Sequence, residues 1–596
     1  MRGPVRDWPG GVAMADPGPT HFRARIGDGV LRGLARPGAQ GFAVLLGLLL
    51  CAPSLGNGLA LDDVLQAARV AEGGGSPWDL FTLFGGPAPL FASADAPWWR
   101  HEQMSLALLR PLASWTHLFD LRLLAGHPAW MHVHSLLWYA LLLAAAGRVY
   151  RRLIPAGWAC ALATLLYAVD HTHGMVVGWL AARNGVMGAA LGLLCLLAHV
   201  RWREGWRPGA VVAPAALLLG LLVSEGAVAI GGFMAAYAVC VERGPWTRRL
   251  ASLLPAAGIV ILWRAAYVAA GYGAAHSGFY FDPGDLSGFL LRSLEHGLIL
   301  VWSQVFLSAG EALGMVPGLY RLGAVVAAVL LAGLVALLRA DLRRSAALRF
   351  WALGTSLCAL PLGSTLPTDR QLLLIGFGVF GFAAQLCAEL RASGERRPGL
   401  RWFGLLWFAI HALLSPLLLP LRSVSPAQIH ALARRAADGY ATEAPPERVI
   451  LLRAPSDLLM LYARADRRLR GLPVPDQLRY LYAGLGELRV ARVDERTLEL
   501  RPANGWLYTP LDRLFRAETD RFVVGTRIAD DTMTVEVLEV ADDGRPLAVR
   551  VGFDRPLEHA SFAWWSWEAA GPERFALPTI GAARTLPAMA NPMLAP

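Results

Sequence analysis

The chain has 596 residues, of which 55% are hydrophobic and 17% charged. Soluble globular proteins carry roughly 25% charged and 45–50% apolar residues, so an ordinary soluble enzyme, a disordered scaffold and a fibrous protein are all excluded. The formal charge is +10 and every basic residue is Arg; these arginines flank apolar runs, where they orient a chain in a bilayer, and do not argue for nucleic acid.

Residues 1–40 form an Arg-rich tail with Arg2, Arg6, Arg23, Arg25, Arg32 and Arg36, which places it in the cytoplasm. A spanning helix needs about 20 mostly apolar residues. Eleven segments are predicted to qualify: 41–59, 129–147, 155–170, 183–200, 209–224, 226–241, 251–270, 322–338, 346–362, 371–389 and 402–420. Arg clusters at 148–152, 201–207, 243–249, 339–344 and 391–401 all fall on turns expected to face the cytoplasm. Residues 288–309 are also apolar, but they contain Arg292 and Glu295. Counting them as a span would invert the 339–344 cluster, so they are predicted to form an interfacial or re-entrant helix on the outer face.

The long first outer loop, 60–128, holds Trp78, Phe81, Phe84, Phe91, Trp98 and Trp99. A membrane-interface position is expected for these rings. The six cysteines, Cys51, Cys160, Cys195, Cys240, Cys358 and Cys387, lie in apolar segments, which excludes a disulfide framework and a Cys-x-x-Cys metal site. After residue 420 the charge density rises. Residues 448–454, 487–493, 497–503, 532–540 and 547–553 alternate or are β-branched, 541–547 is a turn with Asp-Gly at its centre, and 455–470 is helical in pattern. A small α+β domain over 421–596 is predicted, outside the cytoplasm by the odd number of spans. Trp564, Trp565 and Trp567 are expected in a core strand of it.

Ionisable groups at the outer ends of spans are costly and mark function. They are Asp62 and Asp63 after the first span, Arg110 in the first loop, Asp170, His171, His173 and Arg183 between spans three and four, Glu225 between spans five and six, Arg264 in span seven, and Asp369 with Arg370 at the start of span ten. An Asp can deprotonate an acceptor hydroxyl while Arg neutralises a leaving phosphate. Such a set suits a reaction on a phosphate-bearing lipid, and equally a transporter with a gated polar path.

At these residues the sequence resembles the GT-C integral-membrane glycosyltransferases, in particular the O-mannosyltransferase-like family with tetratricopeptide tails. Asp62-Asp63 matches the acidic pair after the first span, and Arg110-Pro111 the Arg-Pro of the first loop. Gly126–His132 is close to the entry of the second span; His173, Val177, Trp179 and Arg183 match the second outer loop; Ser224-Glu225 and Asp369-Arg370 resemble later elements. Met175 stands where the family has Glu, Asp170-His171 replaces His-Pro, Ser135 and Tyr139 fall where Asn and His are common, and no tetratricopeptide repeat follows.

The resemblance covers about 41–390. It implies an all-α polytopic GT-C-like membrane domain followed by the strand-rich domain, in the inner (plasma) membrane of a bacterial cell envelope, with the C-terminal domain periplasmic or extracellular. It implies a polyprenyl-phosphate-linked sugar donor, an unknown glycan, lipid or protein acceptor, and inverting transfer with Asp63 or Asp62 as base, Asp63 slightly preferred. Whether a divalent cation (Mg or Mn) takes part is left open. The competing expectations are a transporter or envelope assembly scaffold without catalysis, and a ligase or phosphotransferase acting on lipid carriers.

Overall fold

The computed structural model describes residues 29–85, 96–281, 283–306, 310–313, 316, 318–395, 397–439, 447–568 and 571–590. Arg2, Arg6, Arg23 and Arg25 of the tail, Phe91 of the first loop and Arg396 lie outside the described residues.

The molecule is mostly helical, and each of the eleven predicted spans falls on an apolar helix. Seven are long and apolar enough to cross a membrane: Ala39–Gly56, Pro128–Leu153, Leu180–Arg203, Trp246–Ala269, Leu319–Leu337, Asp369–Ser393 and Pro398–Gly439. Four are shorter: Gly157–Ala168, Gly209–Leu221, Glu225–Cys240 and Ala346–Leu362. Twelve residues of helix reach only about 18 Å, less than the ~30 Å of a hydrocarbon core. These short helices are packed among the long ones: Ala159, Ala163, Phe233, Phe350 and Trp351 are fully buried.

Helix Leu286–Val305 corresponds to the segment expected at the interface. Just before it, Phe281 N–H donates to Ser364 O at 3.1 Å. Within it, His296 Nδ1 lies 2.9 Å from Thr365 O. Just after it, Glu311 Oε1 accepts from Asp369 N–H at 3.4 Å. All three contacts fall on residues 364–369, so this helix does not carry the chain from one end of the bundle to the other.

The last membrane helix continues well beyond residue 421. It runs from Pro398 to Gly439, roughly 63 Å at 1.5 Å per residue, twice a hydrocarbon core. The composition changes at 421, but the backbone stays helical through Pro420 and Pro426. The helix thus projects out of the membrane domain and carries the strand-rich domain.

That domain contains β4 (Arg448–Leu451), β5 (Gln477–Tyr480), β6 (Leu488–Arg492), β7 (Thr497–Pro502), β8 (Arg527–Ala529), β9 (Met533–Val540), β10 (Pro546–Phe553), β11 (Phe562–Glu568), β12 (Gly571–Arg574) and β13 (Ala583–Leu586). Six form an antiparallel sheet in the order β13-β6-β7-β10-β9-β8, and four a mixed sheet in the order β12-β11-β4-β5. Alternate residues of the first sheet, Leu498, Leu500, Val535, Val537, Val549 and Val551, are buried, the period-two pattern of a half-covered sheet. The β9–β10 turn needs Gly544 at φ +80°, a conformation that costs glycine little. Helix Asp457–Leu469 is the crossover between parallel β4 and β5. Trp564, Trp565 and Trp567 lie in β11, all less than 10% exposed.

The described residues of the long first loop carry secondary structure of their own. Helix Asp62–Ala71, strands β1 (Thr82–Phe84) and β2 (Ser105–Ala107) and helix Pro111–Leu123 fold as a unit, and β2 also pairs with β3 (Gly273–Ala275). Trp98 and Trp99 are buried against the C-terminal domain, contrary to the interface position expected for them. Trp98 donates to Leu481 O at 3.0 Å and meets Trp506 edge-on, while Trp99 meets Tyr480. Two large rings buried between the units replace lipid contact with protein packing. Trp78 and Trp115 are the strongly exposed tryptophans among the loop's described residues.

Candidate active site

The acidic pair opens the helix Asp62–Ala71, directly after Leu61. Leu61 has φ +55°, a left-handed conformation that costs a non-glycine residue about 1–3 kcal/mol and is characteristic of functional sites. The turn is held from the C-terminal domain's supporting helix, because Leu61 N–H donates to His430 Nδ1 at 3.2 Å. His430 Nε2 lies 3.2 Å from Asp466.

The two carboxylates have different surroundings. Asp63 is buried, and both its oxygens are occupied: Oδ2 accepts from Ala60 N–H at 3.0 Å and Oδ1 from Ala181 N–H at 2.6 Å. Burial pushes it up to about 7, against those two hydrogen bonds, which favour the charged form. Asp62 is half-buried, and its Oδ1 accepts from the Tyr462 hydroxyl at 2.9 Å. Burial raises the Asp62 carboxyl as well, offset first by the Tyr462 hydrogen bond and then by the positive charges of Arg370 and Arg110. Among the described residues, Asp62 Oδ2 has no hydrogen-bond partner, whereas both Asp63 oxygens accept one.

Arg110 holds one Glu225 oxygen, Oε2, through both Nε at 2.8 Å and Nη2 at 2.7 Å, two charge-assisted contacts that share a single acceptor. The Tyr267 hydroxyl reaches the other Glu225 oxygen at 3.4 Å, and the Arg264 guanidinium lies 5.3 Å over the Tyr267 ring. Arg370 lies 5.5 Å over the Trp179 ring, with Thr368 Oγ1 at 3.5 Å from its Nε. Among the described residues Arg370 has no carboxylate within ion-pair distance, and the buried Trp179 indole N–H has no acceptor. One end of the bundle thus gathers Asp62, Asp63, Arg110, Glu225, Arg264 and Arg370 from five separate stretches of chain, with Tyr462 closing it from the C-terminal domain.

The remaining candidates lie elsewhere. Arg183 is fully buried and cannot meet a phosphate: it pairs with Asp120 at 2.5 Å, and bonds Ser135 Oγ at 2.8 Å and Met131 O at 2.9 Å. Its guanidinium fixes the start of the helix whose preceding turn, through Ala181 N–H, grips Asp63. Asp170, His171 and His173 form a second, interior cluster. Asp170 accepts from Gln304 at 2.8 Å, His171 meets Ser415 Oγ at 3.0 Å, and His173 meets the Tyr139 hydroxyl at 3.0 Å. These bonds tie helices together and leave the three side chains less than 5% exposed. Asp369 is buried in an ion pair with Arg422, and its carboxylate does not pair with Arg370.

Neither acid of the pair sits in a metal-ligand set. Asp63 has both oxygens taken, and among the described residues no third His, Cys, Asp or Glu joins it and Asp62. The residues the sequence did not reveal are Tyr462 and Asp120. Tyr462 lies 400 residues from its partner. Asp120 sits in the Arg110–Asp120 run, where only its burial distinguishes it from a surface acid.

The architecture is that of an integral multi-pass membrane protein with an appended strand-rich domain. No family model matches the sequence, and no curated protein matches it. Among the solved structures that are similar in fold are two membrane enzymes. One is the oligosaccharyltransferase of Archaeoglobus fulgidus, solved tethered to an acceptor peptide, at 12% identity and a TM-score of 0.39 over 75% of this chain. This chain covers 64% of that enzyme's chain, just under two thirds of its length. The other is ArnT of Cupriavidus metallidurans, solved with undecaprenyl phosphate bound, at 14% identity and a TM-score of 0.31, covering 73% of this chain and 88% of that one. Both likenesses are loose and concern the fold, not the chemistry.

Proposed function

We propose that this protein is a GT-C-type membrane glycosyltransferase that moves a sugar from a polyprenyl-phosphate donor to an acceptor hydroxyl on the outer face of the membrane. The observation that carries the proposal is Asp62: a half-buried carboxylate with one oxygen held by Tyr462 and the other open, in the field of Arg370 and Arg110. In the proposed step the open oxygen takes the acceptor's hydroxyl proton. The acceptor oxygen bonds to the anomeric carbon from the face opposite the phosphate, the carbon–phosphate-oxygen bond breaks, and the configuration inverts. Arg370, which among the described residues has no carboxylate at ion-pair distance, neutralises the leaving phosphate; Arg110, already neutralised by Glu225, shapes the wall beside it. Developing charge met by a preorganised guanidinium is the usual source of such stabilisation.

Asp63 positions the pair, Arg183 braces the turn that holds it, and Asp170, His171 and His173 lock the helices behind. The acceptor and the sugar are not named by these residues.

The test is sugar transfer in membranes carrying Asp62→Asn, supplied with extracted polyprenyl-phosphate-linked donors. Transfer is expected to fall by about 10²–10⁴, the usual worth of a general base, with protein level unchanged. Full transfer in Asp62→Asn removes the mechanism. Solute flux without a glycosidic product in the wild type would favour a transporter.

A further inference from the structure

Away from the acidic pair, His101, His276 and Asp520 come together from three chain segments, with one potential ligand atom from each lying within 4.8 Å of the others. His101 follows the buried tryptophans of the first loop, His276 follows β3, and Asp520 belongs to the C-terminal domain. All three are partly exposed, so an ion can reach them.

The segments are fastened by backbone. His101 N–H donates to Phe515 O at 3.0 Å, Ala517 N–H to His276 O at 3.0 Å, and Gly278 N–H to Arg513 O at 2.7 Å. His276 has φ +56°, a strained conformation for a side-chain-bearing residue. It presents Nδ1 at 3.1 Å from both Asp520 oxygens. That distance is close to the ~3.3 Å edge of a tetrahedron with metal–ligand bonds of 2.0–2.1 Å. The His101 ring stacks on that of His276 at 3.7 Å between centroids. Arg516 spends its guanidinium on backbone oxygens, Trp99 O at 2.7 Å and Asp520 O at 3.1 Å.

We propose that His101, His276 and Asp520 form a binding site for a divalent transition metal of the Zn²⁺ class, with water as the fourth ligand. Two imidazoles and a carboxylate are a recurrent zinc donor set, and imidazole does not select Mg²⁺ or Ca²⁺. Binding requires the His101 ring to swing out of the stack, exchanging the 3.2 Å contact of its Nδ1 with Gln103 N–H for the metal. The ion then clamps the first loop, which leads to Arg110, to the domain that supplies Tyr462. The site is independent of the proposed transfer chemistry.

Zn²⁺ titration of the purified full chain in detergent, against a chromophoric chelator, tests this. The wild type is expected to take up one tight Zn²⁺, and His276→Ala and Asp520→Asn each to weaken uptake by at least ~10-fold. Co²⁺ replacing Zn²⁺ should show the visible bands of a tetrahedral site in the wild type and lose them in both variants. Zn²⁺ should also slow hydrogen exchange over 273–281 in the wild type alone. Equal uptake by wild type and by a His101→Gln/His276→Ala/Asp520→Asn chain, or no uptake by a folded wild type, overturns the site. Melting of each variant without metal, expected to match the wild type, separates lost ligands from lost fold.

Discussion

Replacing Tyr462 with Phe removes a single hydroxyl from the proposed site and leaves the ring. The lost bond is the 2.9 Å donation to Asp62 Oδ1. A hydrogen bond to a charged group contributes about 1.5–3 kcal/mol, and 1.36 kcal/mol is one pKa unit. The Asp62 carboxyl, already raised by burial, should therefore rise by roughly a further 1–2 units. A general base works only when ionised, so the rate falls as pH drops through its pKa. The wild-type acid limb is expected above the ordinary carboxylate value of about 3.9, and the Tyr462→Phe limb higher again. At a pH below the new limb, transfer should fall by about 10- to 100-fold, whereas the alkaline plateau should be nearly unchanged. The fold should tolerate the change, since Leu61–His430 still ties the two units. The assay is the pH profile of labelled-sugar transfer in isolated membranes. A loss of constant size at every pH, with an unmoved limb, would refute the assignment of Asp62 as the base.

Asp63→Asn puts an amide NH₂ against one of two backbone N–H donors, leaving buried groups unpaired at a cost of about 1–3 kcal/mol; its melting temperature should drop, while that of Asp62→Asn should not. Asp120→Asn strips the fully buried Arg183 of its counter-charge, and breaking a buried pair costs about 3–5 kcal/mol; loss of folded protein on detergent extraction is expected, and wild-type melting would show that the pair does not brace the turn. Gly178→Ala drives a Cβ into Ser423 O, where Asn57 now joins Gly178 O at 2.7 Å to Ser423 O at 2.8 Å. Overpacking of this kind costs about 1–3 kcal/mol, so melting should fall and faster hydrogen exchange should follow over 171–183.

The apolar helices were legible because hydrophobicity is a property of consecutive residues: a run of apolar side chains needs no partner to be recognised, although only seven of the eleven runs form helices long enough to cross a membrane. The same holds for β6, β7, β9 and β10, whose alternation is local and whose Asp-Gly turn fixes the hairpin. Arg292 and Glu295 set the helix 286–305 apart in the sequence, since charges within an apolar run argue against immersion, and this helix is not among the seven long and apolar enough to cross a membrane. The residues near span ends were legible as a set, but not which of them meet. The charges of Arg110 and Arg370 act on Asp62 only when the helices pack, and Arg183 looks like a phosphate ligand until Asp120 is found against it. Trp98 and Trp99 could face lipid or protein with equal chemistry; burial against Tyr480 and Trp506 decides it. The sequence by itself determined where chain enters an apolar medium, because that depends on transfer free energy summed along a segment. Only the tertiary structure decided which of the described acids and cations hold each other, as Asp120 holds Arg183 and Glu225 holds Arg110. Those properties belong to groups dozens to hundreds of residues apart, and desolvation and Coulomb energy depend on distance in space, not on position in the chain.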